Sequence, residues 1–167
     1  MDGQAGLGYD ELAGTSAGQV IFSPDSRHVV YIAGKGGSYH LVIDGREEGP
    51  PCGGIANDSI SFSLVGDHVA YVGMTNHKYF VVRDGEKGPD YDMVHTLVFS
   101  SDGKHLAYAA RLGQKWFLVV DGKTGPEYDS IYPETVVCNA DGSVGYLAFK
   151  NGRVFPAGLY HVTQPIK

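Results

Sequence analysis

IFSPDSRHVVYIA, at residues 21–33, is the first of four related stretches that are spaced almost evenly along this chain. The others are SFSLVGDHVAYVG at 61–73, VFSSDGKHLAYAA at 98–110 and VCNADGSVGYLAF at 137–149. Their matching positions Phe22, Phe62, Phe99 and Cys138 lie 40, 37 and 39 residues apart. A strand-rich unit that repeats about every 40 residues is typical of a β-propeller, in which small sheets are arranged around an axis.

The first three repeats contain the signals of four short strands joined by tight turns. An alternating segment ends in Phe-Ser, and a turn rich in Pro, Asp or Gly leads to a second apolar strand. The third strand ends in an Asp-Gly pair, a strong short hairpin signal. These pairs are Asp44-Gly45, Asp84-Gly85 and Asp121-Gly122. The fourth strand begins at a proline, which suits an outer edge. The pattern predicts an all-β propeller of four repeated four-stranded blades.

The two ends of the chain complement each other. Residues 2–12 match the outer strand of a blade without its inner strands, and the last repeat lacks an outer strand. The sequence therefore predicts one propeller domain over residues 1–167, with the last blade closed by the N-terminal strand. The repeat units are 20–55, 60–94, 97–131 and 135–163. A ring within one chain, an eight-bladed ring in a homodimer and a segment of a longer propeller all stay open.

The first repeat, Phe22 to Tyr31, resembles the TolB-type WD-like propeller repeat, whose pattern is Phe-Ser-Pro-Asp-Gly, a basic residue and an apolar strand. The third repeat, Phe99 to Tyr108, fits nearly as well, whereas the second departs at 64–66 and the fourth keeps only 140–142. Proteins with such repeats include periplasmic partner-binding subunits and the propeller domains of prolyl-oligopeptidase-type serine peptidases. The resemblance implies a propeller fold and a periplasmic or secreted location, with a cytoplasmic one as the alternative.

The composition argues against several classes of partner. The formal net charge is −6 in 167 residues, so nucleic acid and anionic membrane surfaces are not expected partners. No apolar run approaches the roughly 20 residues of a membrane span, and no signal-peptide pattern precedes Gly3. Cys52 and Cys138 lie 86 positions apart, which fits neither a disulfide framework nor a zinc site. We therefore expect no metal and no cofactor.

Several residues that could carry chemistry recur from blade to blade, and we interpret them as structural. A histidine at one repeated position could contribute to a zinc site, yet separate blades would hold the imidazoles apart. Repeated aspartates could suggest paired catalytic carboxylates, yet a residue present in every blade normally serves that blade's turn or packing. The tyrosines that precede aspartates are expected to pack between blades. The residues concerned are His28, His68, His105, Asp10, Asp92, Asp129, Tyr9, Tyr91 and Tyr128.

Binding sites are expected where the blades differ from one another. The loops that enter each blade share one face of a propeller with the loops between its second and third strands. The candidates for ligand or partner binding on this face are Asn57, Asp58, His77, His95, Arg111, Tyr132 and Glu134. Residues 14–18 match the Gly-x-Ser-x-Gly nucleophile elbow, but a strand follows instead of a helix, so we interpret them as a loop.

Two functions are compatible with this pattern. Because the sequence shows no set of residues that would meet at one catalytic site, the main prediction is a non-enzymatic propeller that binds a partner protein, peptide or small ligand. The alternative is a hydrolase or lyase with its site at the mouth of the propeller channel. Its acid–base pair would be drawn from Asp58, His77, His95 and Glu134.

Overall fold

The chain folds into antiparallel β-sheets that follow one another along the sequence. The computed structural model describes residues 8–13, 20–64, 66–139, 143–151 and 164–165. Regular structure in this part of the chain is β-strand, apart from one 3-10 turn at Asn57–Ser59. No helix within these ranges is long and apolar enough to cross a membrane. The all-β prediction is confirmed.

In the first two sheets, the first edge strand along the chain is broken into two pieces. The first sheet contains β1 (Glu11–Ala13), β2 (Ile21–Phe22), β3 (Val29–Lys35), β4 (Ser38–Ile43) and β5 (Arg46–Cys52). The second contains β6 (Gly54–Ile55), β7 (Ser61–Phe62), β8 (Val69–Thr75), β9 (Lys78–Arg83) and β10 (Glu86–Lys87). β1 and β2 pair with opposite ends of β3, and β6 and β7 pair in the same way with β8. The remaining strands follow as hairpins.

The third and fourth sheets each begin with a continuous edge strand. The third contains β11 (Met93–Phe99), β12 (Leu106–Leu112), β13 (Lys115–Val120) and β14 (Lys123–Thr124), in that order. The fourth contains β15 (Ser130–Cys138), β16 (Ser143–Phe149) and β17 (Gln164–Pro165). The four sheets thus have five, five, four and three described strands, whereas the sequence predicted four in each.

The boundary between neighbouring sheets lies earlier in the chain than predicted. The segment from Pro89 to Val94 was expected to form an outer strand, but the chain changes sheets between Tyr91 and Asp92. Tyr91 still bridges to Tyr79 of the second sheet, while the amide of Asp92 donates to the carbonyl of Arg111 in the third. Met93–Phe99 is consequently the first edge strand of the third sheet.

The predicted closure of the last blade by the N-terminal strand is not what the described residues show. Glu11–Ala13 pairs with β3, so it belongs to the first sheet. The rest of that predicted closing strand, up to residue 7, lies outside the described residues. So do residues 14–18 with the Gly-x-Ser-x-Gly match, and the strand predicted near residues 154–162.

The Asp-Gly hairpins form as predicted, with φ of 51° at Asp44 and 79° at Gly45, as in a type I′ turn. Each turn aspartate also fixes the start of the second strand. Oδ1 of Asp44 accepts the amide of Val29 at 3.0 Å, and Oδ2 lies 2.6 Å from Nδ1 of His28. The same arrangement recurs at Asp84 with His68 and Asp121 with His105. The repeated histidines and aspartates therefore stabilise the hairpins, as expected for a repeat.

Apolar clusters lie between consecutive sheets, and tyrosines meet within them. Tyr91 packs edge-on against Tyr108, with ring centroids 6.2 Å apart, and Tyr128 packs in the same way against Tyr146 at 5.8 Å. Tyr91 and Tyr128 thus pack between consecutive sheets, as predicted for them, whereas Tyr9 packs against Tyr31 of the first sheet. Between the first and second sheets, Cys52 takes the tyrosine's place in the buried cluster.

Candidate functional site

The third sheet carries three side chains at one end that the first two sheets lack. Arg111 lies opposite both Met93 on β11 and Trp116 on β13, and His95 lies two residues further along β11. Because alternate residues of a strand point to the same face, His95, Arg111 and Trp116 share one face. By the same register, the equivalent residues are Ala13, Gly34 and Tyr39 in the first sheet and Ala56, Met74 and Tyr79 in the second.

We call His95, Arg111 and Trp116 the third-sheet cluster. The imidazole of His95 is stacked on the indole of Trp116, with centroids 5.6 Å apart and planes inclined by 24°. The guanidinium carbon of Arg111 lies 5.8 Å from the centre of the same indole. The indole thus holds a cation and an imidazole beside each other, an arrangement that cation–π attraction stabilises.

Arg111 has an unused hydrogen-bond donor. Its Nε is buried and makes no hydrogen bond within the part of the chain that the structure describes. A buried donor without a partner is unfavourable by about 1–3 kcal/mol. The nearby carboxylate of Asp92 is already engaged, because Lys78 and the amide of Gly113 bind its two oxygens.

The charge of Asp92 is fixed by these contacts. The hydrogen bond from Lys78 is the largest cause that lowers the pKa of Asp92, followed by the bond from the Gly113 amide. The charges of Lys78 and Arg111 lower the pKa further. Asp92 therefore remains ionised near Arg111 and binds the ammonium group of Lys78.

A cavity of about 650 Å³ lies between the second and third sheets, and both Asp58 and His95 line it. The serine beside Asp58 is not a free nucleophile, because the Ser59 hydroxyl donates to the carbonyl of Ala56 and accepts the amide of Val72. The full lining is Ala56, Asp58, Ser59, Ile60, Ser61, Val72, Tyr79, Met93, Val94, His95, Thr96 and Leu97. Among the described residues, no group of three or more His, Cys, Asp or Glu is placed to hold a metal ion.

The structure brings together three of the seven residues that the sequence singled out. Arg111 and His95 meet across Trp116, and Asp58 meets His95 at the cavity. His77 lies elsewhere, in the exposed turn between β8 and β9 with φ of 60°.

The other candidates do not join the cluster, and one cluster member was missed. Tyr132 and Glu134 are exposed within β15, and His95 lies within β11, although all three were predicted in loops. Asn57 lies in the 3-10 turn. Trp116 was overlooked because an aromatic residue recurs at its position. The available signal was that the only tryptophan of the chain stands where other repeats have tyrosine.

Comparison with known proteins gives limited information. No protein-family model matches the chain, and no curated protein matches it significantly. It is similar to a crystal structure described as "a putative 6-phosphogluconolactonase from Bacteroides uniformis", with 14% sequence identity and a TM-score of 0.40. The match covers 92% of this chain and 57% of that chain, so this chain spans little more than half of that protein.

This comparison does not uphold the main functional prediction. The sequence predicted a non-enzymatic binding module, whereas the similar structure carries the name of an enzyme. At this TM-score the likeness transfers no substrate and no residue roles to the present chain. The TolB-type character of the repeat is not confirmed by the comparison, whereas the sheet-rich, all-β fold is directly observed.

Proposed function

We propose that this chain is an enzyme of the hydrolase or lyase class that acts on a small anionic substrate at the third-sheet cluster and the adjoining cavity. The observation that carries the proposal is the Arg111 Nε, which is buried without a hydrogen-bond partner in the described residues, beside an indole that stacks on an imidazole. An anionic group beside the indole would accept charge-assisted hydrogen bonds from the guanidinium of Arg111.

The three side chains have complementary roles in this proposal. Arg111 binds the anionic group and stabilises negative charge that develops in the transition state. His95 transfers the proton, since an imidazole can act as both acid and base. Trp116 forms a flat wall that orients both groups. Hydrolysis and elimination both need a proton transfer beside a stabilised negative charge, so the cluster fits either reaction.

Asp58 is the second acid–base candidate. It lines the same cavity as His95 but belongs to the 3-10 turn between β6 and β7, so a substrate in the cavity would contact both residues. Asp58 and His95 are not among the residues that recur from repeat to repeat, which is expected of a catalytic pair and not of packing residues.

We also propose that the four sheets are four blades of a propeller built from TolB-type WD-like repeats. The first edge strand of each of the first two sheets is in two pieces. β1 and β2 both pair with β3, and β6 and β7 both pair with β8. Counting each broken strand as one position gives four positions in the first and second sheets, which equals the four strands of the third. This regularity supports the blade interpretation.

The test is a turnover assay on a panel of chromogenic carboxylic esters, phosphate esters, a lactone and small β-hydroxy acids. We expect turnover of a panel member, at least a tenfold loss (about 1.4 kcal/mol in the barrier) in His95→Ala and in Arg111→Gln, and little change in His77→Ala. Far-UV circular dichroism would establish that the variants are folded. Absence of turnover across the panel, or full activity in folded His95→Ala, would overturn the proposal.

A further inference from the structure

A second cavity, of about 390 Å³, lies between the first and second sheets. Ile43 and Glu48 of the first sheet line it, together with Phe62, Asp67 and Asp84 of the second. Asp84 begins the Asp-Gly turn, so the cavity lies at that end of the strands. The third-sheet cluster lies near the other hairpin of its own sheet, away from the Asp-Gly turn. The two sites are therefore separate.

The junction between the second and third sheets contains a guanidinium group at the matching place. Nη1 of Arg83 donates to Oδ1 of Asp121 at 3.0 Å, and Nη2 donates to the carbonyl of Lys104 at 2.8 Å. The guanidinium carbon of Arg83 lies 5.7 Å from the centre of the Phe99 ring. A carboxylate, a carbonyl and an aromatic face thus bind this guanidinium together.

The same three groups are present at the first junction. Each turn aspartate accepts the amide of the first residue of the second strand, and each phenylalanine pairs with that residue. The residues that provide the carbonyls directly precede the repeated histidines. The matching pairs are Asp84 with Asp121, Phe62 with Phe99 and Asp67 with Lys104. The first member of each pair lines the cavity.

The guanidinium itself is not repeated. Ile43 stands at the position of Arg83, because each is the last residue of a third strand and directly precedes the turn aspartate. Within the described residues, Oδ1 of Asp84 accepts one hydrogen bond, from a strand amide, whereas Oδ1 of Asp121 accepts two. The first junction therefore has the acceptors of a guanidinium site, while the chain places an apolar side chain where the donor would be.

The volumes of the two junctions agree with this comparison. At the second junction a space of about 200 Å³ remains, and Arg83 and Asp121 line it whereas Phe99 and Lys104 do not. Arg83 thus fills the part of its junction that lies between the ring and the carbonyl. The cavity of about 390 Å³ at the first junction includes the part beside the matching ring of Phe62.

The first junction is also more acidic than the second. Glu48 stands where the second junction has Gly88, because both are opposite matching residues of the third strand. Asp67 likewise stands where the second junction has Lys104. Among the described residues, the carboxylates of Glu48 and Asp67 have no hydrogen bond or ion pair. The two histidines in the lining are each paired with a turn aspartate, so they do not offset these negative charges.

We propose that the cavity between the first and second sheets binds the guanidinium group of a ligand, in the place that Arg83 occupies at the next junction. The guanidinium donates to Oδ1 of Asp84 and to the carbonyl of Asp67, and it lies against the ring of Phe62. The carboxylate of Glu48 adds an attraction that the next junction lacks. The group belongs either to a small guanidinium compound or to the arginine side chain of a peptide. This inference does not rest on the proposed enzymatic activity.

The test is isothermal titration calorimetry with two guanidinium probes and their ammonium counterparts. The probes are methylguanidinium and the blocked peptide Gly-Arg-Gly, and the counterparts are methylammonium and blocked Gly-Lys-Gly. We expect saturable binding of at least one guanidinium probe and an affinity lower by about fivefold or more for its ammonium counterpart, which lacks the planar set of donors. Tighter binding of the arginine peptide would identify a peptide side chain as the source, and equal affinities a small compound.

Two variants locate the binding. Ile43→Arg places the chain's own guanidinium in the cavity, as Arg83 does at the next junction, and should abolish binding. Glu48→Gln should lower the affinity by up to about fivefold, the effect of one partly exposed charge. The matched control is Glu127→Gln, which makes the same change at an exposed glutamate that does not line the cavity and should leave the affinity unchanged.

Far-UV circular dichroism would show that these variants are folded. No saturable binding of either guanidinium probe would overturn the proposal, as would equal affinity for the ammonium counterparts. Unchanged binding in folded Ile43→Arg, or in Glu48→Gln, would also overturn it.

Discussion

Replacing Asp121 by alanine should destabilise the fold more than the same change at Asp44, although both residues begin an Asp-Gly turn. Oδ1 of Asp121 accepts 3.0 Å hydrogen bonds from the amide of Leu106 and from Nη1 of Arg83, which belongs to the second sheet. Its Oδ2 lies 2.7 Å from Nδ1 of His105. Asp121 therefore joins the two strands of its own hairpin and also links two sheets.

The expected magnitudes follow from the surroundings of these bonds. The amide bond from Leu106 to Asp121 is partly buried, so losing its acceptor costs about 1–3 kcal/mol. The broken link to Arg83 adds up to about 1 kcal/mol. The bond from Val29 to Asp44 is exposed, and water can replace the acceptor there. Because φ is 48° at Asp121 and 51° at Asp44, alanine is strained about equally at both sites. The difference between the variants should be about 1.5 kcal/mol.

Thermal and urea unfolding of the two alanine variants measure this difference directly. For a chain of this length, 1 kcal/mol corresponds to about 2–4 °C in Tm, so Asp121→Ala should melt about 3–6 °C below Asp44→Ala. Asp84→Ala provides an intermediate case, since its amide bond is partly buried. Equal melting temperatures for Asp121→Ala and Asp44→Ala, or a lower one for Asp44→Ala, would refute this reasoning.

Three further predictions concern pH, thiol chemistry and a sheet junction. Hydrogen bonding between His28 and Asp44 raises the pKa of His28 and lowers that of Asp44. The pair's stabilisation is therefore lost as pH rises through the folded His28 pKa or falls through the folded Asp44 pKa. Urea unfolding from about pH 3 to about pH 9 should show the largest difference in the free energy of unfolding between wild type and His28→Gln at pH values between the two folded pKa values. A difference that does not change with pH would contradict this. Burial raises the pKa of Cys52 and Cys138 to about 11, so neither should react with iodoacetamide at neutral pH until the chain unfolds. Rapid labelling of the native chain, detected by mass spectrometry, would count against this. Tyr146→Phe removes a buried 3.2 Å contact between hydroxyls at the junction of the third and fourth sheets and should lower the free energy of unfolding by about 1 kcal/mol. Unchanged urea unfolding would disprove it.

The strands and turns were predictable because their signals are local. Asp84 and Gly85 both tolerate positive φ, and the structure has them at 50° and 82°. The assignment of strands to sheets was less predictable. Tyr91 and Asp92 are adjacent in sequence but hydrogen-bond to different sheets. Such a crossing depends on partners that are distant in sequence, and the repeat period alone does not locate it.

The candidate site was predictable only in part. His95 and Arg111 stood out because the other repeats have different residues at those positions, but His77 stood out for the same reason. Register separated them: the pairing of β11, β12 and β13 places His95 and Arg111 on one face with Trp116, while His77 lies in a turn of the second sheet. The Arg111 Nε has no hydrogen-bond partner within the part of the chain that the structure describes, and this is a property of three-dimensional packing that no sequence pattern reports.

The central claim is that the third-sheet cluster binds an anionic group through Arg111. Trp116 is the only tryptophan in the chain, so its fluorescence reports on this site alone. The most direct measurement is a fluorescence titration with inorganic phosphate and with small carboxylates, in the wild type and in Arg111→Gln. We predict a saturable change in the wild type, an affinity lower by about tenfold or more in Arg111→Gln, and no loss in His77→Ala. A titration without saturation in the wild type, or equal affinity in Arg111→Gln, would contradict the claim.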